Sequence, residues 1–365
     1  MTINNLYSKK DNSSFKALKR TYFFFGLFLI SFFNSTGQVG GTHSYQFLDM
    51  ANASRTQGLG GSNISLYDKD ANLSISNPSL LDSVMTGSMS LNYMNYMAGI
   101  NYGYSSYVQH FKNIGTFSAS FMYANYGDFK RATESGEIIG DFVANDLVFI
   151  VGYGRKIDSN FSIGTNVKFF NSIYDAYSSM GMGFDIAATY FIPDKYFAIS
   201  AVIKNMGFTF KNYTENQNEK LPFEIQLGST VKLKHAPIRF SLTLTNLQKW
   251  DLTYQDPNAE KQFDSETFKE LPAKKPNFLN KAFRHVVFGT EILLSKNFHL
   301  QVGFNYRRRM ELQVRDKTGL VGFTTGLGFK IKKFNFNYSL ANYHLGGTAH
   351  NFSITSNINR FRTKR

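Results

Sequence analysis

The chain has 365 residues, a formal charge of +14 and no cysteine. The absence of thiols excludes a disulfide frame, a thiolate metal site and a lipid-modified cysteine. The basic residues are scattered through predicted turns and loops rather than gathered on one face, which argues against nucleic acid and fits anionic lipid or surface polysaccharide.

Residues 1–37 read as an export signal. Lys9, Lys10, Lys16, Lys19 and Arg20 form a basic start, Tyr22–Phe33 is a short apolar core, and the small residues Ser35 and Gly37 precede a cleavage point at Gln38. No other apolar run approaches the roughly 20 residues that a membrane helix needs.

Residues 38–86 do not alternate. Phe47, Leu48, Met50, Ala51 and Ala53 fall at helical spacing, and the run breaks at Gly58, Gly60 and Gly61. An acidic, Asn-rich link follows and closes on Asn77-Pro78, with Leu80 and Leu81 behind it. Such a compact, partly apolar segment ahead of a long strand array is predicted to bury itself inside a closed barrel as a plug. Its seating residues would be Phe47, Leu48, Gly60, Gly61, Asn77, Pro78 and Leu81, with the two glycines used for positive φ or close backbone approach.

From residue 87 to 365 apolar residues recur at every second position, from Met89, Leu91 and Tyr93 to Phe352 and Ile354. About fourteen strands result, each near the roughly 9–11 residues that cross a bilayer when tilted. Their opposite face is Ser, Thr, Asn, Gly and Lys, which fits a sandwich but also an all-β, transmembrane antiparallel barrel with lipid outside and a polar lumen, and the connections decide between them. Connections alternate in length. Lys112–Gly115, Asp158–Asn160, Pro193–Lys195, Lys234–Pro237, Ser295–Asn297 and Lys332–Lys333 are short. Asn125–Asn145, Asn171–Ser179, Asn205–Leu221, Gln248–Phe283, Arg307–Gly319 and Asn342–Ala349 are longer. That pattern predicts an outer-membrane barrel with long loops outside and both termini periplasmic.

The longest loop, 248–283, carries Pro257, Pro272 and Pro276 and reads as a surface excursion with room for a short helix. Tyr254, Phe263, Phe268 and Phe278 are its candidate partner-binding anchors. Arg307, Arg308 and Arg309 end a strand at the same end and would offer bidentate donors to a carboxylate, a phosphate or lipopolysaccharide.

No catalytic or metal site emerges. His43 and His110 have no partner pattern nearby. His350, Asn351 and Ser353 share one strand, and His350 and Asn351 point to opposite faces, so they do not converge as a triad must. Asp68, Asp70 and Asn72 alternate, but the glycine and terminal glutamate of a calcium loop are missing. Gly322, Gly326 and Gly328 fall on one polar strand face, where they would let the plug or another backbone approach.

The segment LGGSNISLYDKDANLSISNPSLL resembles the plug motif of fatty-acid-transporter-type outer-membrane barrels, with Ser79 where alanine is common. Phe283–Arg309 and Leu242–Tyr254 resemble the PorQ family of the Bacteroidetes type IX secretion system. That resemblance covers essentially the whole mature chain. It implies a plugged fourteen-stranded barrel without a cofactor or catalytic residue. It also implies a docking role for a PorZ-like surface protein in an attachment complex beside PorU and PorV. Two alternatives stay open: a transporter of hydrophobic small molecules, and a substrate shuttle like PorV. An apolar lumen pocket near the plug would favour transport, and an inward face of Ser, Asn, Gly and Thr counts against it.

Overall fold

In a computed structural model the residues described are 43–51, 53–215, 219–253, 276–313, 319–344 and 346–362. Fourteen antiparallel strands form one closed barrel in which each pairs with its chain neighbours. β1 (Ser88–Asn95) and β14 (Gly347–Asn357) complete the ring, with Ser88 opposite Asn357 at the short-turn end. Closure leaves no sheet edge unpaired.

Alternation decides which side chain meets which solvent. On β1 the inward positions Ser88, Ser90, Asn92 and Met94 are buried, while Met89, Leu91 and Tyr93 stand outside. The same period places Phe121, Phe149, Phe169 and Phe288 on the outer wall. An apolar belt of this extent exposed to water would be an aggregation surface, whereas a bilayer accepts it. Among the described residues no helix is long and apolar enough to cross a membrane; the strands cross it.

The strands are unequal. β3 (Gly115–Ala132) and β4 (Ile138–Lys156) have 18 and 19 residues, and β5 (Phe161–Tyr174), β6 (Tyr177–Ile192) and β7 (Phe197–Lys211) have 14 to 16. Two expected long loops are therefore largely strand. Residues 125–145 form a hairpin, and 171–179 narrow to a turn at Asp175 and Ala176, because strand pairing continues through both segments. Likewise β13 (Phe334–His344) runs almost into β14.

The other side is lower. β8 (Glu224–Lys232), β9 (Ile238–Leu244), β10 (Val286–Ile292) and β11 (Phe298–Asn305) have 7 to 9 residues, and β12 is Phe323–Ile331. Arg307, Arg308 and Arg309 do not end a strand. Asn305 caps a helix, Tyr306–Leu312, by accepting a hydrogen bond from the Arg308 amide.

Candidate functional site

The segment that precedes β1 lies among the inward side chains of the barrel. It is built from short turns rather than the expected helix over 47–53. A 3-10 turn spans Gln46–Asp49, and the helix follows at Ser54–Gly58. The helical spacing of Phe47–Ala53 instead reflects packing: Phe47 and Leu48 join Phe170, Tyr102 and Met122 in an apolar cluster. Phe170 meets Tyr45 at 4.7 Å and Phe47 at 6.2 Å between ring centres.

Polar contacts reach the wall on several sides. The Ser54 amide donates to the Ser353 hydroxyl at 2.9 Å, and the Asn351 amide donates to the Ala51 carbonyl at 3.3 Å. Asn72 donates to Thr355 at 2.8 Å and accepts from Asn92 at 2.8 Å. Asn77 donates to the Ile64 carbonyl at 2.6 Å and to Thr189 at 3.0 Å. Its side-chain oxygen also caps the turn Pro78–Leu80, whose first residue is proline, a position where the missing N–H is harmless. Leu81 packs with Ala71, Met85 and Val108.

The wall makes room for this backbone with glycines. A Cβ on Gly303 would fall 2.1 Å from the Gly60 nitrogen, and one on Gly164 would fall 2.4 Å from the Pro78 carbonyl carbon. Gly60 and Gly61 have φ of 99° and 86°, a region that side chains disfavour. Thr324 clasps the same turn, accepting from the Gly60 amide at 3.0 Å and donating to the Gly58 carbonyl at 2.9 Å. Gly326 and Gly328 do not serve this segment. The first accommodates the Gln301 side chain and the second those of His299 and Asn337, while Gly322 sits in the turn before β12 with φ of 87°.

A buried ion network ties the segment to the low wall. Arg55 Nε donates to Glu291 at 2.8 Å, and its Nη2 pairs with Asp68 at 2.8 Å. Asp70 lies at 3.6 Å from Arg55, and Arg239 reaches Glu291 at 2.9 Å and Asp68 at 3.3 Å. Burial alone would raise the Asp68 carboxyl, but the Arg55 and Arg239 guanidinium groups outweigh it and hold the carboxyl well below the usual range. Asp68, Asp70 and Asn72 are thus partners of side chains, and no metal-binding cluster of acidic and histidine groups occurs among the described residues. A second buried pair, Lys168–Asp185 at 2.8 Å, lies beside Asn205, which donates to Asp49 at 2.6 Å.

Sequence periodicity does not reveal these charges. The signal was there: Arg239, Glu291, Lys168 and Asp185 interrupt strands at inward positions, where a charge needs a partner. The inward glycines 154, 164, 228, 289 and 303 were equally visible as residues that remove a side chain from one face.

The candidate partner residues fare unequally. Tyr254, Phe263 and Phe268 lie outside the described residues. Phe278 opens a short helix, Phe278–Phe283, and its ring meets Trp250 at 5.3 Å. The arginines do not form one outward fork. Arg307 pairs with Glu311 at 2.9 Å, and Arg309 donates to the carbonyls of Gly319 and Val321. Arg308 turns over the Tyr343 ring at 4.0 Å, donates to its hydroxyl at 3.2 Å and faces Gly61. His350 accepts or donates to Tyr338 at 2.7 Å, away from Asn351 and Ser353.

The lumen is also more apolar than expected. Met94, Tyr102, Tyr104, Met122, Val148, Ile150 and Phe170 point inward around the first residues of the segment. Between Leu48, Met50, Met122 and Ile150, beside Lys168 and Lys204, lies a cavity of about 20 Å³, room for one water.

No protein-family model and no curated protein matches the chain. Among solved structures, the toluene transporter TbuX of Ralstonia pickettii is 12% identical with a TM-score of 0.49, covering 85% of this chain and 98% of that one. The toluene transporter TodX of Pseudomonas putida is 13% identical with a TM-score of 0.49, covering 88% and 98%. A FadL homologue of Pseudomonas aeruginosa is 9% identical with a TM-score of 0.45, covering 84% and 98%. At such low identities and scores the likeness carries no argument about what this chain does.

Proposed function

We propose that this protein is an outer-membrane barrel closed by its N-terminal segment, which works as a docking platform for a PorZ-like surface protein at its long-loop end. The observation that carries the reading is the seating of the segment: hydrogen bonds on several sides and a buried ion network hold it across the lumen. A barrel filled in this way meets other proteins at its ends, because lipid covers its wall. The short turns offer little area, whereas a stable interface takes roughly 800 Å² per partner. The long-loop end offers the projecting 125–145 hairpin, with exposed Phe129, Ile138, Ile139 and Val143, and the sequence of the 248–283 loop adds Tyr254, Phe263 and Phe268. The resemblance to the PorQ family supports the same reading. The test removes Asp256–Lys275 while keeping the strands. The trimmed barrel should assemble in the membrane and lose its surface partner. Retention of the partner at wild-type level on a folded, trimmed barrel would overturn this assignment of the dock.

A second reading, passage of a hydrophobic small molecule, draws on the apolar cluster around Phe47 and Phe170. Withdrawal of Tyr45–Leu48 would leave an apolar chamber beside Lys168 and Lys204. It is tested by uptake of a hydrophobic solute into vesicles holding the intact barrel.

A further inference from the structure

The low side of the rim carries apolar side chains that neither the core nor the proposed dock uses. At ~3.3 Å per residue and ~40° of tilt, the seven residues of β9 or of β10 rise roughly 18 Å, short of the ~25 Å apolar band of an outer-membrane barrel. The 19 residues of β4 rise roughly 48 Å on the same reckoning. Above the short strands sit the helix Phe278–Phe283 and the chain's only tryptophan, Trp250.

The helix is pinned by its polar face. Asn280 donates to the Tyr306 hydroxyl at 3.1 Å, Arg284 donates to Asn280 at 3.0 Å, and Lys281 pairs with Asp251 at 2.5 Å. His285 holds the adjoining loop through the Thr245 and Trp250 carbonyls at 2.7 and 3.0 Å. The apolar face is left outside: Phe278 is 68% exposed, Leu279 61%, Phe283 52% and Trp250 52%. It continues the lipid-facing wall ring by ring. Phe323 meets Phe304 at 4.6 Å, Phe304 meets Tyr306 at 6.4 Å, and Tyr306 meets Phe283 at 5.8 Å.

We infer that Trp250, Phe278, Leu279 and Phe283 form a lipid anchor. They sit in the headgroup and upper acyl region of the leaflet at the long-loop end and supply the apolar height that β8–β11 lack. The occupant is lipid because the patch extends a surface that already faces acyl chains, at the level where amphipathic aromatic rings partition to a membrane interface. Phe278 is thereby assigned to the bilayer and not to a protein partner. The anchor fixes the side of the barrel on which the rim lies at the membrane, leaving the tall β3–β7 side to project.

The single tryptophan reports on this directly. The full-length barrel is reconstituted in phosphatidylcholine vesicles whose acyl chains carry bromine near the headgroup or near the bilayer centre. Trp250 emission should be quenched several-fold more by shallow bromine than by deep bromine, and little by aqueous iodide. The double variant Phe278→Ser, Leu279→Ser should restore iodide quenching while the barrel keeps its heat-modifiable mobility. Wild-type Trp250 that ignores shallow bromine and responds to iodide would overturn the anchor, and this outcome needs no variant to fold. Emission insensitive to lipid bromine but shielded from iodide only after a surface protein is added would also overturn it, making the face a protein dock.

Discussion

Single residues in the lumen separate two kinds of destabilisation. Glu291 is almost fully buried and receives both Arg55 and Arg239. Replacing a member of a buried pair strands its partner's charge, so Glu291→Ala should lower unfolding stability by about 3 kcal/mol or more, read from urea melts in lipid. The same network gives a pH dependence. The Asp68 carboxyl is depressed in the folded barrel, so its contribution is complete above its unfolded value of about 3.9 and is lost as pH falls through the folded value. Stability should therefore decline below about pH 4, and Asp68→Asn should flatten that decline. Sterics provide the contrast. Gly303→Ala drives a Cβ into the Gly60 backbone and should cost about 2 kcal/mol, whereas a Cβ on Gly103 meets nothing within 4 Å and Gly103→Ala should stay within about 0.5 kcal/mol.

At the scale of elements, the N-terminal segment is the piece whose removal is most informative. Deleting Phe47–Asp82 removes Arg55, Asp68 and Asn77 together and leaves Glu291, Arg239 and Thr189 facing an empty lumen. Lower barrel yield, or a conductance in planar bilayers that the intact protein lacks, is the expected outcome; normal yield with no conductance would contradict closure by this segment. How far such elements were legible depended on what the local pattern encodes. The strands were legible one by one, because lipid on one side and a polar lumen on the other impose a period of two that survives in Met89, Leu91 and Tyr93 as in Phe352 and Ile354. Their lengths were not. In 125–145 both faces are largely exposed and Phe129, Ile138, Ile139 and Val143 mix with Asp128, Lys130, Arg131 and Asp141, so alternation fades while the β3–β4 hydrogen bonds continue. The helix lies at Ser54–Gly58 and not over Phe47–Ala53, because buried turns can bring apolar residues together at spacings that imitate the regular period of a helix. Arg55 with Glu291 could not be paired from sequence at all, since 236 residues separate them and only barrel closure brings them within reach.

For the whole molecule, the closed ring, the filled lumen and the uneven rim support one division of labour. The wall holds the membrane, and we propose that the low rim grips it while the tall side faces outward. The second reading uses the same barrel differently, taking the apolar residues around Phe47 and Phe170 as a chamber rather than as the seat of a fixed segment. One measurement tests docking against passage directly. The tagged full-length barrel is isolated from its own outer membrane in mild detergent, and bound protein and bound small molecules are quantified in the same sample. The docking account expects a PorZ-like surface protein in near-stoichiometric amount and no hydrophobic solute in the lumen. A barrel recovered without that protein, carrying a hydrophobic molecule displaced by bulky substitution at Phe170, would contradict it.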